Sequence, residues 1–218
     1  MKLPGTEKRV PAFSQIVLVC AFIAFSSAAW ADPATDYQEG LKSYRAGDVF
    51  GAMAPLKQAA DAGHAEAQAL YGSILDSGEY DIDAAAYLLK AAEQNNADGQ
   101  YGLAKMYISG EAKAPSEGEA NRLMRAAAAQ GHSRAIIVIA LAYVHGDTRL
   151  GATDSNTPEA GQFLIQAAEL GEVEAVETLA TAYRKGTYGL TADSAKADHW
   201  AAQLARMRGQ GPKKGAKK

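Results

Sequence analysis

Four histidines, some closely spaced carboxylates and one cysteine are the side chains from which a reaction centre would have to be built. His64 and His132 hold the same place, each directly after a glycine (Gly63, Gly131), whereas His145 and His199 fall elsewhere. A metal needs its ligands to converge within about 2 Å of one point, and equivalent residues one structural repeat apart do not converge. Turn residues are therefore the expectation for that pair. Asp81/Asp83 and Glu117/Glu119 stand at the starts of helical stretches, where negative charge meets the positive end of a helix dipole. Asp147, Asp154 and Asn156 carry oxygens, but their spacing matches no calcium loop, so capping and turn roles are expected. Cys20, the only cysteine, lies in an N-terminal apolar run, which leaves residues 32–218 without a disulfide, a thiolate nucleophile or a cysteine metal site. The chain shows no glycine-rich phosphate loop, no nucleophile elbow and no zinc-helix motif. No catalytic residue, no metal and no cofactor is expected, so the chain reads as a binder and not as an enzyme.

The elements that position these residues form a repeat. Ala-Ala-x-x-Gly is followed by Ala four residues on, a small residue five further, then Tyr or Leu, then Gly. The series runs Ala59/Ala60/Gly63/Ala67/Gly72/Leu75/Gly78 and Ala91/Ala92/Asn95/Gly99/Ala104/Tyr107/Gly110. It continues as Ala127/Ala128/Gly131/Ala135/Ala140/Tyr143/Gly146 and Ala167/Ala168/Gly171/Ala175/Ala180/Tyr183/Gly186. Copies are 32, 36 and 40 residues apart, the period of stacked helix pairs. Each unit reads helix A, turn, helix B, turn. In the second unit helix A is expected over 67–77, stopped by Gly78, and helix B over 82–95. Caps for B helices are expected at Asp48, Ser116, Thr157 (with Pro158) and Asp193. Pro55, Tyr87, Leu123, Phe163 and Trp200 share one position of helix B and fill the space that small residues leave where helices cross. From the helix-A Gly to the helix-B Ala the distances are 5, 6, 10, 14 and 11 residues, so the first two turns are the tightest. The longest insertion, 146–157, has the length at which loops often serve function.

The two ends differ from the body. Lys2, Lys8 and Arg9 precede the apolar run Ile16 to Phe25, and Ala29-Trp30-Ala31 supplies small residues where a signal peptidase reads. Residues 1–31 are thus expected to be a cleavable export signal, with a periplasmic mature chain beginning near Asp32. A membrane-spanning helix needs about 20 apolar residues, and Ser26-Ser27 ends this run too early. Between Asp32 and Ala205, 13 Lys and Arg stand against 24 Asp and Glu, a net of −11. Such an acidic body speaks against nucleic acid as a partner. Arg206 to Lys218 holds six basic residues and no acid, and 209–218 (GQGPKKGAKK) has nothing to bury, so a disordered basic tail is expected. Its simplest role is a solubilising end; its charge also allows contact with an anionic surface or partner.

The pattern small-x-x-Tyr-x-x-Gly, variable turn, Ala-x-x-Trp/Phe, Ala-Ala-x-x-Gly resembles the Sel1-like repeat, a relative of the tetratricopeptide repeat. The fifth unit carries it most fully: Leu179, Ala180, Tyr183, Gly186, Gly189, Leu190, Asp193, Lys196, Ala197 and Trp200. The first unit keeps only Gly40, Tyr44, Gly47 and Ala52, as a terminal cap would. The resemblance covers about residues 34–207. It implies an all-α, right-handed solenoid of about five antiparallel helix pairs over 32–208, monomeric, whose A helices line a concave face that binds a protein or peptide partner. The groove-facing positions it implies are Ala69, Ser73 and Asp76, then Tyr101, Lys105 and Ile108. The further sets are Ile137, Leu141, Val144 and His145, then Glu177, Thr181, Arg184 and Lys185. The fourth unit's helix A, AIIVIALAYV, is apolar all round, so Ile137, Leu141 and Val144 form either an exposed binding patch or surface covered by a neighbour. An adaptor or scaffold is the leading functional expectation. A stoichiometric inhibitor, immunity or regulatory protein is the alternative, and a cell-wall hydrolase ranks below both.

Overall fold

The computed structural model describes residues 32–116 and 118–209. The expected export segment, Glu117 and the tail from 210 lie outside the described residues. Ten α-helices and no strand occur among those described, arranged as five A–B pairs. The pairs are α1 (Pro33–Arg45) with α2 (Val49–Asp61), α3 (Ala65–Ser77) with α4 (Asp81–Glu93), and α5 (Ala97–Ser109) with α6 (Glu119–Ala129). They continue with α7 (Ser133–His145) and α8 (Pro158–Glu169), then α9 (Val173–Lys185) and α10 (Ser194–Met207). Among the described residues no helix is long and apolar enough to cross a membrane.

Local chemistry sets the helix ends. Asp48, Thr157 and Asp193 cap their B helices as expected, each accepting a backbone N–H three residues on, at 2.8, 3.2 and 3.0 Å. Ser116 does not. Helix α6 starts after Gly118, whose φ of +85° is left-handed, and no side chain caps it. That glycine turns the chain between Ser116 and the first helical amides, so the serine carbonyl rather than its hydroxyl bonds Glu119 N–H, at 3.4 Å. Glu119 then pairs with Arg122 at 2.6 Å. Gly110, Gly146 and Gly186 end their A helices in the left-handed conformation, but Gly78 does not; the short 78–80 turn moves that step to Glu79, φ 63°.

Packing follows from the small residues. Leu56, Leu88, Met124 and Leu164, four residues after a B-helix alanine, are fully buried. A Cβ on Gly72 would stand 2.9 Å from Leu88 Cγ, so glycine there lets α3 lie directly on α4. Of the shared helix-B position, Leu123 and Trp200 are buried, while Pro55, Tyr87 and Phe163 are half-buried. Helices also pack from pair to pair, α3 on α5 and α7 on α9. Glutamines stitch the early junctions: Gln94 donates to Gln68 (2.7 Å) and Gln130 to Gln100 (2.8 Å), both acceptors being buried. Ile136 and Val176 take that slot in the last two units and are buried without polar partners. The long turn 146–157 holds a 3-10 segment (Thr148–Leu150) and buries Leu150 and Ala152. Its acids act locally, Asp147 on Arg149 and Asp154 on the Asn156 N–H, while Asn156 accepts from Gly189 N–H at 2.9 Å.

Candidate partner-binding groove

A groove of about 740 Å³ runs along the A-helix face, lined by α1, α3, α5 and the start of α7, with no B-helix residue among its walls. Its N-terminal edge is built by the histidines. His64 and His132 are the N-caps of α3 and α7, their Nδ1 atoms facing Ala67 N–H (3.4 Å) and Ala135 N–H (3.1 Å). Each ring stacks on a tyrosine of the preceding A helix, Tyr37 on His64 at 4.6 Å and Tyr101 on His132 at 4.5 Å between centroids. An accepting Nδ1 leaves the His132 proton on Nε2, which lies 3.1 Å from Asp98. That hydrogen bond, outweighing partial burial, holds the Asp98 carboxyl below the usual aspartate range. His64 Nδ1 also lies 3.2 Å from Glu66, so it serves the α3 amide as acceptor or, when protonated, Glu66 as donor.

The groove is aromatic and unevenly charged. Tyr37, Tyr44 and Tyr101 present rings to it, and burial pushes the Tyr37 hydroxyl pKa up. Lys105 donates to Asp76 at 2.6 Å, and that bond raises the lysine pKa. All three wall carboxylates, Glu66, Asp76 and Asp98, therefore already face a protein cation or N–H. Arg45 and Arg134 are exposed and make no ion pair among the described residues. What the groove offers a ligand is ring surface and two unengaged guanidinium groups.

The structure gathers some of the sequence-derived positions here and not others. Ala69, Ser73, Asp76, Tyr101 and Lys105 line the groove. Ile108 lies beyond it, lining a separate hollow of about 510 Å³ with Tyr107 and Arg149, and its carbonyl accepts from Arg149 at 3.2 Å. Ile137, Leu141 and Val144 are half-buried, with Ile137 and Val144 packed on the core of the last two units. His145 faces Glu174 at 3.3 Å. Glu177 binds Arg208 at 2.6 Å, Arg184 lies 3.6 Å from Asp198, and exposed Thr181 reaches the Glu177 carbonyl at 3.5 Å. Tyr37, Tyr44, Arg45, Asp98, His132 and Arg134 were not among those positions. Tyr37 was findable, since it stands three residues before Gly40 as Tyr101 does before Ala104.

No protein-family model matches the chain, and no curated protein is significantly similar to it. Solved structures are. A Sel1 repeat protein from Oxalobacter formigenes superposes with a TM-score of 0.63 at 28% identity, over 85% of this chain and 75% of that one. The protective antigen c5321 of uropathogenic Escherichia coli, which displays the same repeat fold, gives 0.64 at 27% identity, over 80% of this chain and 38% of that one. A Sel1 repeat protein from Klebsiella pneumoniae shares the fold at 21% identity, with a TM-score of 0.52 over 82% of this chain and 88% of the other. The class is thus an all-α solenoid of helix pairs, a scaffold for protein–protein interaction. Its helix pairs are Sel1-like repeats, and the chain groups with the Sel1 repeat proteins.

Proposed function

We propose that this chain is an exported, periplasmic adaptor that holds a segment of a partner protein along the groove of α1, α3, α5 and α7. One observation carries the reading: the wall carboxylates are already engaged while Tyr37, Tyr44, Tyr101, Arg45 and Arg134 are left to a ligand. A fitting segment is extended, lays apolar or aromatic side chains on the tyrosine rings and carries a carboxylate toward Arg45 or Arg134. Rings and guanidinium groups are the residue types that dominate binding energy at protein interfaces. Export is supported by the pattern of residues 2–31, and the net charge of −11 over 32–205 supports a protein over a nucleic-acid partner. No reaction step belongs to this reading, because among the described residues no cluster of three or more His, Cys, Asp or Glu could hold a metal and the wall acids serve caps and ion pairs.

The test is affinity capture from bacterial envelope extract with the full chain, a Tyr101→Asp/Arg134→Glu variant and a chain lacking 210–218. The expected result is a partner retained by the first and third and lost by the second. Equal retention by the groove variant overturns the assignment.

A further inference from the structure

The long A–B turns of the fourth and fifth units do more than join helices. Each lays a leucine, four residues past its C-cap glycine, onto the B helix of the preceding unit. Leu150 follows Gly146, is 3% exposed, and belongs to the 3-10 segment that packs on α6. Leu190 follows Gly186 and lies on α8, its Cδ2 only 2.7 Å from where a Cβ on Gly161 would stand. Gly161, the residue after core Ala160, is therefore the floor of the seat that Leu190 fills.

On α4 the equivalent floor is Ala85, after core Ala84. The third unit's turn brings only small residues to this place, Ala112 and, four past Gly110, Ala114. An open hollow of about 320 Å³ results, with Ala85, Leu103, Tyr107 and Ala112 in its lining and Ile82 and Leu89 along one wall. Ile82 is 89% exposed and Leu89 42%, values that a leucine in the seat would reduce. Asp81, Glu111 and Lys113 stand at its edge, and neither carboxylate makes an ion pair among the described residues.

We propose that this hollow is a docking seat for a leucine-sized aliphatic side chain, presented by an extended basic segment of a partner protein. The chain itself shows what fits, since it fills two equivalent seats with its own leucines. Two carboxylates against one lysine favour a cation beside that leucine, the order found in Arg149-Leu150. The chain's own residues 210–218 contain no aliphatic side chain larger than alanine or proline and do not meet this requirement. A second copy would bring the same acid-edged face against this one, like charge to like. The seat lies on B helix α4 and its neighbouring turn, shares no residue with the groove, and stands or falls independently of it.

The experiment is methyl NMR of the full chain titrated with the peptide acetyl-Ser-Arg-Leu-Gly-Lys-amide into the low millimolar range. The expected result is saturable shifts of the Ile82 and Leu89 methyls, weakened at least about tenfold when Ala replaces the peptide leucine. Exchanging the peptide's Arg and Lys for Glu should also remove the shifts. Ile82→Asp, at an exposed site that leaves the core intact, should abolish binding, and Ala112→Leu should do so by filling the seat from within. No saturable shift at these methyls, an equal response to the Ala or Glu peptide, or unchanged binding by Ile82→Asp would each overturn the proposal.

Discussion

His132 shows how one side chain serves fold and groove together. It caps α7, stacks on Tyr101 and hydrogen-bonds Asp98. Replacing it with Ala should cost about 1 kcal/mol from the cap, measured by urea unfolding. The Asp98 carboxyl titrates lower folded than its unfolded value of about 3.9, so its contribution is present above that value and is lost as pH falls through the depressed one. In His132→Ala the Asp98 carboxyl should titrate closer to the ordinary value, read by carbon NMR, and part of the acid-side loss of stability should vanish. The Gly-His repeat marked these residues as structural, but not as caps, because Ser, Thr, Asp and Asn lead at that position. Ser116 looked the better cap and fails, since the left-handed Gly118 comes between it and the helix.

Between elements, the turns and the glutamines decide how pairs join. Leu150→Ala should destabilise by about 2–5 kcal/mol, because the side chain is buried between a turn and α6 rather than along a helix face. Gln100→Ala should cost about 1–3 kcal/mol by leaving the buried-side amides of Gln130 and Asn95 without their partner; thermal unfolding reads both variants. Helix pairing and turn lengths were legible because small residues must recur wherever two helices cross closely, and turns of 78–80 and 110–118 differ as the Gly-to-Ala distances require. The return of each long turn over the preceding B helix was not. Leu190 on Gly161 is a contact whose sequence separation is set by the next pair's placement, which no local spacing encodes.

At the scale of the molecule, the A-helix face was legible and its working stretch was not. Tyr101 and Lys105 fall in the groove because repeat position fixes helix face. The fourth-unit residues Ile137 and Val144 pack on the C-terminal core instead, and Glu177 and Arg184 meet Arg208 and Asp198 at the last helix. Those contacts depend on where α10 lies. The first unit, poor in repeat signature, nevertheless supplies Tyr37, Tyr44 and Arg45, because a terminal unit can lose its junction residues and keep its groove-facing ones. The most direct test of the groove is a photocrosslinking residue at position 101, compared in cells with one at exposed Gln162 on helix α8. Partner adducts from 101 and none from 162 are predicted. Adducts from 162 alone, or none from 101, would contradict the account.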